Sequence, residues 1–163
     1  MPAETTQQDL AKELELLPAS APSVKHLMTS VASLLAERLP KYNWVGFYML
    51  EKGAPREQPV LELGPFVGAP TPHTRIPLNQ GICGAAASSG HTIVVDDVRS
   101  DPRYLACSLE TKSEIVAPIF VRGQVAGELD IDSHFPAAFG PDDRRLVEHC
   151  ARLVGRYIEQ TSA

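Results

Sequence analysis

The feature that most constrains this chain is a pair of adjacent segments, SEIVAPIFV (113–121) and QVAGELDIDS (124–133), separated only by Arg122-Gly123. A residue–glycine step between two strand-like runs is a tight-turn signal, so the pair predicts an antiparallel hairpin. Side chains alternate across a strand. Asp130 and Asp132 therefore share one face, and Leu129 and Ile131 the other. Glu114 opens the preceding strand, so these carboxylates converge on one face or rim. Two readings stand. The group is a solvated strand face. Or it is a close set in which like charges raise at least one pKa, giving a proton donor and an anion for a ligand ammonium.

The rest of the chain supplies partners for the hairpin. NWVGFYML (43–50) reads as a strand with Trp44, Gly46 and Tyr48 on one face and Val45, Phe47 and Met49 on the other. PVLELGPF (59–66), a short run at 74–78 and TIVVDDV (92–98) read as further strands. Residues 1–8 are polar and expected to be loose. A short helix is expected from Asp9 to Leu17, ended by Pro18. PASAPS (18–23) is a linker. A longer helix then carries Val24, Leu27, Met28, Val31, Leu34 and Leu35, with Ser23 as its cap and Pro40 beyond its end. GICGAAASSG (81–90) is a short helix of small residues. The last helix opens at Pro141-Asp142-Asp143 and carries Leu146, Val147, Cys150, Leu153, Val154, Tyr157 and Ile158. This pattern implies an α+β fold: an antiparallel sheet of about six strands, the long terminal helices on one face and loops on the other. Residues 1–22 are expected to be an extension and 23–163 the domain.

Composition narrows the function. Fifteen basic and twenty acidic side chains give a net charge of −5, with no basic block, which argues against a nucleic-acid surface. No apolar run is long enough for a membrane span, and the N-terminus lacks a secretory pattern. Three cysteines, Cys83, Cys107 and Cys150, then point to reduced thiols in a cytoplasmic setting. No Cys-x-x-Cys occurs and the five histidines are scattered, so spacing suggests no metal site.

Each cysteine has its own context. Cys107 lies in the long loop RSDPRYLACSLETK (99–112); it is an accessible reactive thiol or a small apolar plug. Cys83 starts the small-residue helix, where N-terminal amides lower a thiol's pKa; the alternative is a buried helix-start residue. Cys150 sits on the apolar stripe of the last helix and reads as core. Trp44 and Tyr48 are core aromatics or a wall for the apolar part of a small ligand. Asp96-Asp97 caps the loop. His26 and His149 on helices, and His134 in a loop, read as structural.

Taken in order, NWVGFY, GPF, RIP…GICG, the ACS loop, SEIV and LDIDS resemble the free methionine-(R)-sulfoxide reductases, small enzymes built on a GAF fold. The resemblance covers roughly residues 24–160. It implies that Cys107 is the catalytic thiol and Cys83 a second active cysteine. It implies that Glu114, Asp130 and Asp132 hold the free amino acid and assist the sulfoxide chemistry, and that Trp44 and Tyr48 line the methionine site. The reaction it implies leaves a Cys107 sulfenic acid, which a second thiol converts to a disulfide that thioredoxin reduces, with no bound cofactor. It also implies a homodimer. Three departures stand out. His73 occupies the family's usual resolving-cysteine position, Arg103-Tyr104 replaces a Gly-His pair, and Ser108 replaces an acid. Either Cys83 resolves Cys107, an external thiol does so, or turnover is lost. The rival is a non-catalytic GAF module that binds a small ligand or senses oxidant through Cys107 and Cys83.

Overall fold

The computed structural model describes residues 2–105 and 109–161, with side chains from residue 7 onward. The expected catalytic thiol, Cys107, lies outside the described residues.

The hairpin forms as its pattern dictates. Strands β5 (Ser113–Val121) and β6 (Gln124–Ser133) pair antiparallel, and Arg122 and Gly123 both take left-handed backbone in the turn, as a type I′ connection requires. Strands β1 (Trp44–Leu50), β2 (Val60–Val67), β3 (Arg75–Pro77) and β4 (Ile93–Val95) complete one six-stranded sheet in the order β3-β2-β1-β6-β5-β4. Every pairing is antiparallel. The fold is thus the expected α+β type.

Three helices cover one face. They are α1 (Pro2–Ser20), α2 (Val24–Arg38) and α4 (Pro141–Thr161). Their apolar stripes close over Val45, Phe47, Ile115, Ala117, Ile119, Leu129 and Ile131, giving the larger core. Ser23 caps α2 by accepting from the His26 amide at 3.1 Å. Asp143 sets the start of α4, accepting from the Gly140 amide at 2.9 Å and from the Tyr42 hydroxyl at 2.6 Å. Cys150 is fully buried in this core, and burial pushes its thiol up to about 12. It is a packing residue.

The N-terminal helix is longer than its sequence suggests. It is continuous from Pro2, and Pro18 lies within its last turn instead of ending it. Proline is well tolerated at a first helical position, and one in the last turn disturbs only a backbone bond near the frayed end. What holds the helix is tertiary: Leu10 and Leu14 are fully buried, Glu13 accepts two bonds from Arg38, and the Tyr157 hydroxyl donates to the Ala21 carbonyl.

The opposite face carries one helix, α3 (Gly81–Ser89), and the loops. Ile82, Cys83, Ala86 and Ala87 pack there against Trp44, Tyr48, Leu61, Ile76, Val95 and Val116. The small side chains of α3 let it lie close to the sheet, and this seals a face that carries several acids.

Candidate functional site

The site starts from strand register. Trp44 pairs with Asp132, Gly46 with Asp130 and Tyr48 with Glu128 across β1 and β6. On the other side of β6, Asp132 pairs with Glu114 and Asp130 with Val116. Period-two alternation therefore places Glu128, Asp130 and Asp132 in one row on the α3 side, with Glu114 beside its end. This is no solvated face. Glu114 is 5%, Glu128 0%, Asp130 2% and Asp132 3% exposed.

Buried carboxyls persist when they keep protons or find donors. Glu114 is hydrogen-bonded to both Asp130 and Asp132, which requires a shared proton. Burial, then the neighbouring aspartates, holds Glu114 well above the usual carboxylate range. Burial and Asp130 do the same to Asp132. Asp130 is also raised by burial, but it accepts from Glu114 and from the Cys83 thiol, at 3.3 Å to Sγ, and both bonds favour its charged form. Asp130 is thus the member best able to carry the negative charge. Neither oxygen of Glu128 meets a partner in hydrogen-bond geometry; burial pushes its carboxyl well up, against a smaller downward pull from the nearby Cys83 thiol.

Cys83 responds in the opposite sense to its helix-start expectation. Burial, then the charges of Asp130, Glu128 and Glu114, raise its thiol well above the ordinary value. The dipole of a nine-residue helix is outweighed by desolvation and three acids.

Aromatic side chains wall the site. Trp44 stacks on Phe66 at 5.5 Å and on Tyr48 at 6.2 Å between ring centroids. Gly46 makes this possible, since a Cβ there would come within 2.3 Å of the Trp44 ring. The Trp44 indole donates to the Ala69 carbonyl at 3.0 Å and the Tyr48 hydroxyl to the His73 carbonyl at 2.7 Å, tying the loop after β2 to the site. Between them lies a narrow cleft lined by Tyr48, His73, Cys83, Leu105, Glu114 and Asp130, with a volume of about 10 Å³. That is room for about one water. A second cleft of about 90 Å³ lies beside Asp132, between Trp44, Thr111 and His134. The 99–112 loop reaches the first cleft. A Cβ on Gly81, at the start of α3, would come within 2.9 Å of the Leu105 side chain.

This fold and its residues match a known family, the GAF domain, over residues 24–158. The chain belongs to the GAF family. As a GAF domain it is 36% identical over 150 residues to the free methionine-R-sulfoxide reductase of Escherichia coli (strain K12), covering 90% of this chain and 87% of that one. It is 35% identical over 157 residues to protein YtsP of Bacillus subtilis (strain 168), covering 96% and 93%. The structure of a free methionine-R-sulfoxide reductase from Neisseria meningitidis in complex with its substrate superposes with a TM-score of 0.87 at 31% identity, covering 96% of this chain and 92% of that one. The GAF domain is therefore related to these reductases over nearly its full length.

Within the GAF domain, six of the seven sequence-derived site residues come together: Trp44, Tyr48, Cys83, Glu114, Asp130 and Asp132. The seventh is Cys107. Asp97 caps the turn after β4 by accepting from the Arg99 amide at 3.0 Å, as expected. Sequence reasoning missed Glu128. Its signal was present, because the alternation that pairs Asp130 with Asp132 extends back by one more step. Spacing also gave no hint that one oxygen each of Glu114 and Asp130 and the Cys83 sulfur lie within 4.8 Å of one another. Among the described residues, no helix is long and apolar enough to cross a membrane.

Proposed function

We propose that this GAF domain reduces free methionine-(R)-sulfoxide to methionine. The observation that carries the reading is the buried Glu114–Asp130–Asp132 cluster, set against Tyr48 and Trp44 and adjoining the loop that bears Cys107. A free amino acid has an ammonium group that a peptide-bound methionine lacks. Asp130, the acid best able to stay charged, suits that ammonium, and a protonated Glu114 or Asp132 can donate to the sulfoxide oxygen. The aromatic wall suits the thioether chain. The closed cleft, about 10 Å³, must open to admit an amino acid.

The Cys107 thiolate attacks the sulfoxide sulfur while an acid protonates the oxygen. Methionine leaves and the oxygen is retained as a Cys107 sulfenic acid. A second thiol condenses with it, releasing water and forming a disulfide. A dithiol of the thioredoxin class then reduces the disulfide and is itself oxidised. Cys83 fits the second-thiol role only in an opened state, since its thiol is raised and bonded to Asp130. Direct resolution by an external dithiol avoids that cost.

The test is NADPH consumption coupled through thioredoxin and its reductase, with free methionine-(R)-sulfoxide, the (S) epimer and a peptide-bound sulfoxide offered side by side. Turnover of the free (R) form alone is expected, and Cys107→Ser is expected to reduce it to background. Unchanged turnover in that variant would overturn the mechanism. The buried, proton-holding Cys83 and the presence of His73 at the cleft favour a second reading, a GAF module that binds an amino-acid-like ligand without turnover. Ligand binding with no turnover, even with dithiothreitol as reductant, would select it.

A further inference from the structure

Glu128 is the residue this function does not use, and it is costly to keep. It is fully buried, and neither carboxylate oxygen has a hydrogen-bond partner. One oxygen of Asp130 is likewise buried and unpartnered. A buried carboxyl without a partner loses its hydration with nothing in return. Asp130 belongs to a cluster in which the Cys83 sulfur and one oxygen each of Glu114 and Asp130 lie within 4.8 Å of one another, and Glu128 interacts with Cys83. The Cys83–Asp130 separation is 3.3 Å. Zinc bonds of roughly 2.3 Å to sulfur and 2.0–2.2 Å to oxygen, set tetrahedrally, separate the two ligand atoms by about 3.5 Å. The cleft at this point has about 10 Å³, which suits a single ion and not an amino acid.

We propose that Cys83, Glu114 and Asp130, with Glu128 beside the Cys83 ligand, bind one divalent cation of the zinc class, in competition with any amino-acid ligand. The sulfur ligand selects zinc or cobalt over magnesium or calcium, which prefer oxygen. The ion replaces the thiol proton and the proton that Glu114 shares with its neighbours, so binding releases protons and tightens as pH rises. The cation site shares Cys83, Glu114 and Asp130 with the proposed sulfoxide site, but cation binding requires no sulfoxide chemistry.

Cobalt(II) is the probe, added anaerobically to the reduced full-length protein after chelation. The expected signal is a thiolate-to-cobalt charge-transfer band that saturates at one equivalent and is displaced by zinc. Cys83→Ser should abolish the band. Glu128→Gln, which keeps shape, should weaken cobalt binding by about 10–100-fold. Cys107→Ser should retain the band. A band lost with Cys107→Ser and retained in Cys83→Ser would overturn the proposal, as would cobalt binding without a sulfur band or no binding at all. Zinc should also raise the thermal midpoint of the wild type and not of Cys83→Ser, with the midpoint of the metal-free variant confirming that it folds. Sulfoxide turnover is measured separately in chelator, so failure of either idea leaves the other readable.

Discussion

The two faces of the sheet are built from the same strands and serve opposite ends. On the helix side, β6 presents Leu129 and Ile131 to an apolar core closed by α1, α2 and α4. On the α3 side, the same strand presents Glu128, Asp130 and Asp132, equally buried. One face gains from burial and the other is strained by it. Roughly 25 cal/mol per Å² of apolar burial stabilises the first. Desolvated acids weaken the second unless protons and donors offset the cost. A site that stores charge out of water is thus carried by a face that stores none.

The sharpest way to break this comparison is to substitute neighbours on one strand. Ile131→Ala should cost about 2–5 kcal/mol in urea unfolding, as for a fully buried side chain, and leave turnover per folded molecule nearly unchanged. Asp130→Asn should leave the urea midpoint close to wild type and lower sulfoxide turnover by about a hundredfold or more. If the stability and activity losses exchange places, the division of labour between the faces is wrong.

Much of this division was legible in the sequence because it is local. The Arg122-Gly123 turn fixes the hairpin, and two-residue alternation fixes which side chains share a face. The Ser23 cap and the apolar stripes of α2 and α4 follow from short-range patterns in the same way. What stayed hidden depends on contacts distant in the chain. Burial of Asp130 requires α3 to land on the sheet, and nothing near LDIDS in the sequence announces that. Cys83 read as either an activated helix-start thiol or a buried one; burial between α3 and the sheet, then the acids brought across from β5 and β6, decide for the second. The N-terminal helix passes through Pro18 because Leu10 and Leu14 dock elsewhere in the fold. The thiol-and-carboxyl cluster joins residues from three elements, so no spacing rule could find it.

Thiol reactivity sharpens the contrast. Cys150 is sealed in the helix-side core, whereas Cys83 borders a cleft that must open for a ligand. Local openings cost less than global unfolding. Under native conditions Cys83 should therefore be alkylated at least about tenfold faster than Cys150. Mass spectrometry of iodoacetamide-treated protein, read peptide by peptide, checks this. Equal rates would mean that both cysteines react only through global unfolding and that the α3 face has no independent opening.

The smallest effect concerns Glu128 and has a distinctive sign. Its folded-state pKa lies well above the ordinary 4.5, because burial disfavours its charge. Below that ordinary value the carboxyl is protonated in both folded and unfolded chains, and its contribution is fully present. As pH rises toward the folded value, the unfolded chain releases its proton while the folded chain keeps it. Stability then falls, by up to about 1.4 kcal/mol per pH unit for one group. Glu114 and Asp132 share this direction, so together they oppose the usual gain in stability on leaving acid. Glu128→Leu removes one such group and fills similar space without a polar atom. Its stability, measured by urea unfolding between mildly acidic and neutral pH, should decline less steeply than that of the wild type and exceed it near neutrality. A parallel pair of curves would mean that Glu128 is solvated and outside the strained face. A steeper decline in the variant would mean that its charge is offset by a cation already held among these acids.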